Sequence, residues 1–524
     1  MWKYGPSSAF LSKLTRENVC APTVVTKLRP LFSNSTSFSS APRIEEHNPE
    51  GVPTTPKSLK ISKAAPSTLK YKRGLFLSRV NVDNFIERKL QESNIADISI
   101  FLTRSASRSE ETSSVTFLLG YHGLISKRLE ILSESQWSFW QIAATLSSLK
   151  CMRETEDGVQ RIISSMTKVI DNSLARDEIV AADDIALIMK GLTGIAGREE
   201  GSRKLLAKVS QAIIQCKDEF TSAEVVVCLR ALQGKNSEFP EVLSLLYVLT
   251  ERLNALKIGS VSSISLSHIM FSTYRMSSDS TEVQGLLKVV NNHIRLSSEG
   301  IDAESMGNII YGMQKMSSDN SEVTSLIATI LSKSKRGPKD FMPQTSSNAF
   351  TGMAGFNSEK SEVRQLLLHL IPNVEGSLKC YHPRGLADTF LGMQNMSSDC
   401  TEVRAVLQAL LRHVKNGTGS MDAQSVGNAF FGLQNMKDDC EEVKDLLIGF
   451  IPIVRNSSGI LSVVHIERAL FGLKKMNQNS VEVRELIQTL LVKVKSTEKI
   501  IDLDIVIEDS AQVKLLLQAL QHSA

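Results

Sequence analysis

Aromatic side chains make up only 6% of this 524-residue chain, three of them tryptophan. That scarcity argues against a core of large rings and favours thin aliphatic layers, which the 42% apolar content can supply. Cysteine is sparse too. The seven thiols, Cys20, Cys151, Cys216, Cys228, Cys380, Cys400 and Cys440, include no pair at the spacing of a zinc site, so free thiols and no metal are expected. No stretch approaches the roughly 18 apolar residues that cross a bilayer, so no membrane partner is expected. A Gly-rich loop ending in Lys-Ser/Thr is absent as well, and the nine histidines are scattered. With no Ser/His/Asp or Cys/His grouping, the chain reads as a non-enzyme without a cofactor.

Charge of one sign is missing from the whole but not from the parts. Residues 1 to 82 hold 13 Lys/Arg against four acids, which leaves 47 basic and 52 acidic residues for the remainder. The body is therefore mildly acidic, which counts against a simple electrostatic clamp on nucleic acid and leaves room only for local basic stripes.

Residues 1 to 44 contain six Lys/Arg, one acid (Glu17) and twelve Ser/Thr, the composition of an organellar transit peptide. A mitochondrial destination is expected, with the plastid as the alternative. Residues 45 to 82 continue as a Pro/Ser/Lys stretch, expected to be a basic disordered linker. From residue 83 to 136 the pattern turns helical without a repeat, and reads as a degenerate helical N-terminal cap.

What the chain has in abundance is periodicity. Gly312, Gly352, Gly392, Gly432 and Gly472 fall 40 residues apart, and so do Glu322, Glu362, Glu402, Glu442 and Glu482, each followed by Val. Glu282 and Glu241 extend the series, and Gly201 and Gly158 occupy the same slot in two worn copies. A period of that length means a solenoid. The expectation is an all-α superhelix of about nine 40-residue two-helix repeats over residues 137 to 496, closed by helical caps, the C-terminal one spanning 497 to 524.

One unit shows the physics. Met306, Ile309, Ile310, Met313 and Met316 recur at three-and-four spacing, with Asp302 placed to cap that helix; Val323, Leu326, Ile327, Ile330 and Leu331 form a second stripe. At the joint, Asp319-x-x-Glu322, Asp399-x-x-Glu402, Asp439-x-x-Glu442 and Asn479-x-x-Glu482 have the form of a capping box. The recurring glycines read as mid-helix residues, which cost roughly 0.5–1 kcal/mol each relative to Ala. Close approach of a neighbouring helix is the expected compensation. The methionines Met276, Met316, Met396, Met436 and Met476 read as core filler.

The string Val426-Gly-Asn-Ala-Phe-Phe-Gly-Leu-Gln-Asn-Met436, echoed at Met306 to Met316, resembles the Leu-Ala-Asn-x-Leu-Trp-Ala-x-Ala-x-Leu helix of octotricopeptide and heptatricopeptide repeats. Those families are helical-pair RNA binders of mitochondria and plastids, so the resemblance implies single-stranded RNA as partner, with other proteins of an organellar ribonucleoprotein beside it. On a helical wheel, the slots of Asn308, Tyr311 and Lys315 lie opposite the apolar stripe. Down the array they select His268, Phe271, Arg275, Asn308, Tyr311, Lys315, Asn395, Asn428, Phe431, Asn435, Arg468, Phe471 and Lys475 as candidate RNA-contacting residues. Two alternatives stand beside this reading. The asparagines can bond neighbouring helices while the aromatics pack between units, and the whole can be a protein-binding scaffold. A second ladder, Arg364, Arg404, Lys444 and Arg484, is expected to pair with loop acids rather than phosphate.

Overall fold

The structure, a computed structural model, describes residues 123–151, 154–334, 342–377, 380–417, 419–459 and 461–495, with a few positions between 88 and 98. The segments read as transit peptide, linker and C-terminal cap lie outside the described residues, as does most of the N-terminal cap. Everything described falls in the unit Glu87–Ala524.

Helices alternate along the chain in two sets. The odd-numbered set is α1 (Phe139–Ser147), α3 (Ala182–Gly191), α5 (Ser222–Arg230), α7 (Ser263–Phe271), α9 (Ala303–Gly312), α11 (Pro343–Gly352), α13 (Pro383–Gly392), α15 (Ala423–Phe431) and α17 (Val463–Gly472). The even-numbered set is α2 (Asp157–Ala175), α4 (Glu200–Gln215), α6 (Pro240–Asn254), α8 (Thr281–Leu296), α10 (Ser321–Lys333), α12 (Ser361–Gly376), α14 (Thr401–Asn416), α16 (Glu441–Arg455) and α18 (Val481–Lys495). Each odd helix packs on the next odd helix and each even helix on the next even one. The described residues are thus an all-helical stack with neighbours in sequence order, the arrangement of an α-solenoid; their only β-pairs are isolated bridges at Ile301–Ser334 and Asp422–Ser458.

The two expected stripes line the interior. Met306, Ile309, Ile310, Met313 and Met316 are at most 1% exposed, and Val323, Leu326, Ile327 and Ile330 are fully buried. Leu331, at the margin, is half-buried. The five methionines at helix-end positions are all core.

The glycines do not sit mid-helix as the sequence suggested. They close the odd helices, and they keep ordinary right-handed geometry, with φ of −66° at Gly352 and −62° at Gly432. Their reason is contact. A Cβ built on Gly312, Gly352, Gly392, Gly432 or Gly472 would come within 1.8–2.0 Å of a main-chain carbonyl oxygen in the preceding odd helix. Gly191 stands in the same relation to the carbonyl of Leu146, at 2.1 Å. No side chain fits there.

Capping corrects a second expectation. Helix α9 starts as predicted, with the Asp302 carboxylate accepting from the Ser305 amide, and α15 starts the same way with Asp422 and Ser425, both at 2.7 Å. Even helices do not use Asp319, Asp399 or Asp439. Their N-cap positions are one residue later, Asn320, Cys400 and Cys440, and of these only Asn320 caps with its side chain. The displaced Asp319 and Asp399 instead turn back, each amide donating to the hydroxyl of Ser317 or Ser397. The glutamates then accept from neighbouring hydroxyls, Thr281 to Glu282 and Thr401 to Glu402, both at 3.2 Å, near a helix start where negative charge is favoured.

Two polar ladders tie successive units together. The hydroxyls of Ser237, Ser278, Ser318, Ser358 and Ser398 accept the amides of Ser277, Ser317, Asn357, Ser397 and Lys437 at 2.8–3.0 Å. At the far end of the even helices, Arg252, His293, Lys333 and His413 donate to the carbonyls of Cys216, Leu253, Ser297 and Val374. Those carbonyls belong to the preceding even helix or the residues just after it, where main-chain acceptors lack intrahelical donors.

Candidate nucleic-acid interface

The candidate residues all belong to odd helices or to the turn after them, and the stack sorts them by depth. In the first slot His268, Asn308 and Arg468 are half-buried, and Asn428 is 9% exposed. In the second, Phe271, Tyr311, Phe431 and Phe471 are half-buried. Only in the third slot are side chains open, at Arg275, Lys315, Asn395 and Lys475, with Asn435 half-buried. The wheel argument placed all three slots on the outside, and Asn428 departs from it. An odd helix is flanked by two other odd helices, so the direction opposite its apolar stripe is still partly covered.

Within that geometry the rings pack between units. Phe271 stacks on Tyr311 with centroids 4.8 Å apart and planes at 16°, while Phe431 stacks on Phe471 at 5.5 Å and 17°. Tyr274 leans on Tyr311 at 5.7 Å. Cations cover the rings: Arg275 on Tyr274, Arg468 over Phe431 at 4.7 Å, and Lys474 over Phe471 at 3.5 Å. Thr351 and Leu391 occupy the ring slot in the two intervening units, so the aromatic ladder is broken in the middle.

The asparagines bond as the alternative reading anticipated, but from the third slot. Asn395 Nδ2 donates to the Ala354 carbonyl at 2.8 Å, Asn435 Nδ2 to the Gln394 carbonyl at 2.9 Å, and Lys475 Nζ to Asn435 Oδ1 at 2.7 Å. Asn428 Oδ1 is buried without a hydrogen-bond partner.

Local electrostatics follow burial. Desolvation lowers the His268 pKa, and Arg230 lowers it further against a weaker pull from Glu304, so the imidazole favours its neutral form. Asp388, in the first slot, is pushed up by desolvation, with Arg384 opposing and Asp422 reinforcing. In the second ladder, Arg364 donates to the Ser358 and Glu359 carbonyls and lies 3.7 Å from Glu402, and Lys444 reaches Glu441 at 3.2 Å. Both meet acids, though these acids stand in the first turns of α14 and α16 and not in loops.

Sequence reasoning missed four residues of this face. Tyr274 and Lys474 sit one position before the third slot. Lys190 and Arg230 precede Gly191 and Ala231 just as Tyr311 precedes Gly312, so they are the ring slot of the worn units, and both are exposed. The small residue after each is the signal that aligns them.

Among the described residues, no group of three or more His, Cys, Asp or Glu is arranged to hold a metal, and no helix is long and apolar enough to cross a membrane. No known family profile matches the chain, and no curated protein matches it in sequence.

Proposed function

We propose that this protein is an organellar RNA-binding α-solenoid of about nine two-helix units between helical caps, and that single-stranded RNA lies across the ends of its odd helices. The observation behind the reading is the row of open cations, Arg275, Lys315, Lys474 and Lys475, set beside half-buried aromatic rungs. Cations supply phosphate affinity and ring edges supply apolar contact to unpaired bases. The face has the chemistry of an adaptor for a flexible anionic strand. Transcript stability, processing or ribosome assembly in the mitochondrion, or alternatively the plastid, is the role it fits, in company with other proteins of a ribonucleoprotein. The basic leader of residues 1 to 44 supports the address.

A protein-binding scaffold is the second reading, and one observation favours it. Ile179, Ile214 and Leu296, near the C-terminal ends of α2, α4 and α8, are 87%, 64% and 59% exposed. Apolar groups at that end of three of the first four units suit a protein partner. Crosslinking in the organelle followed by sequencing of bound RNA separates the two. Enrichment of defined transcripts is expected, and recovery of no RNA above background gives the scaffold.

A further inference from the structure

We propose that the odd-helix face is bipartite: it grips single-stranded RNA at two separated stations and leaves the strand between them untouched. This rests on the RNA-binding reading and specifies how the strand is held. The first station is built on α7 and α9, where Phe271 and Tyr311 stack and Arg275 and Lys315 project. The second is built on α15 and α17, where Phe431 and Phe471 stack, Arg468 and Lys474 lie over them, and the exposed Lys475 reaches Asn435.

The two units between are chemically different. Their ring slots hold Thr351 and Leu391, and their third slots hold Gly355 and Asn395, of which Asn395 is already committed to the Ala354 carbonyl. Asp388 brings a carboxylate into the first slot there. From α9 to α15 there are three helix-to-helix steps, so at roughly 8–10 Å per step the stations lie roughly 24–30 Å apart.

In the second station Arg468 and Lys474 lie over the rung rings Phe431 and Phe471, and in the first Arg275 lies over Tyr274, which leans on the rung at Tyr311. The strand's phosphates meet these cations, and its bases meet ring edges. Each station alone is weak. Joined by one strand, the second contact becomes intramolecular and gains from effective concentration.

Two oligouridine tracts joined by a neutral ethylene-glycol linker that spans the gap make the probe, compared with one tract alone and with a continuous oligouridine, all titrated against the full-length protein. The joined probe is expected to bind at least about tenfold more tightly than the single tract. Replacing Lys474 and Lys475 together with Ala, or Arg275 and Lys315 together, is expected to bring it down to the single-tract affinity. If the continuous strand binds tightly but the joined probe binds no better than one tract, the two-station arrangement is wrong and RNA binding stands. If the continuous strand does not bind at all, both fall.

Discussion

Single residues explain the period. At Gly191, Gly312, Gly352, Gly392, Gly432 and Gly472 the slot leaves no room for a side chain, because the next atom is a carbonyl oxygen of the neighbouring helix; Ala231 and Ser272, in the two units between Gly191 and Gly312, fill it with a small side chain. Gly432→Ala, whose Cβ would lie 1.9 Å from the Phe390 oxygen, is therefore expected to lower stability by about 1–3 kcal/mol, the cost of overpacking. Gly285→Ala is the opposite case. It lies inside α8 with nothing within 4 Å of the added methyl, and should gain about 0.5–1 kcal/mol. Thermal unfolding of the two variants checks both signs. Lys235 is the chemical exception. It occupies the slot that Met276 and Met316 fill in later units, is fully buried, and its ammonium reaches only the carbonyls of Leu192 at 2.9 Å and Ala231 at 2.6 Å. Desolvation drives its pKa from 10.5 down to about 7 against the pull of buried Glu154. Between about pH 7 and 10.5 the unfolded chain holds a proton that the folded one does not, so this site adds stability as pH rises through that window and adds none below it. Lys235→Met should stabilise by about 1–4 kcal/mol at pH 6, less whatever the two orphaned carbonyls cost. The gain should shrink toward pH 10. Denaturant titration at both values measures it, and a gain that grows with pH would refute the assignment.

At the scale of elements, each helix pair is joined to the next by hydrogen bonds as well as by apolar contact. Ser398 is buried and accepts the Lys437 amide at 2.9 Å, so Ser398→Ala leaves that amide without its acceptor and should cost about 1–3 kcal/mol. Hydrogen exchange is the readout: the Lys437 amide should lose protection while amides in α7 and α9 keep theirs. Element type and order were legible in the sequence, since the Met306-to-Met316 and Val323-to-Ile330 stripes need only helical periodicity. The serine ladder was not. Ser277-Ser278-Asp279 and its copies look like the start of a helix, and local chemistry offers the Asp as a cap. In the stack the second serine is claimed by the next unit, which moves the cap one residue along. That partner lies about 40 residues away, beyond any local pattern. The same holds for His293 and His413, whose Nε2 atoms bond carbonyls of the preceding unit.

For the whole molecule, the sequence located the face but misjudged its depth. Angular position on one helix says which side is away from the core; it does not say that two further helices close over part of that side, as they do over Asn428. What stays open is the third slot and the cations beside it, and on these the proposed function depends. The most direct test is the salt dependence of single-stranded RNA affinity, measured for the full-length protein and for a variant with Arg275, Lys315, Lys474 and Lys475 all changed to Ala. Each phosphate contact on a single strand contributes a slope of about 0.7 in log affinity against log salt, so losing four is expected to flatten the slope by roughly 3 and weaken binding. An unchanged slope and affinity in the quadruple variant would contradict the account.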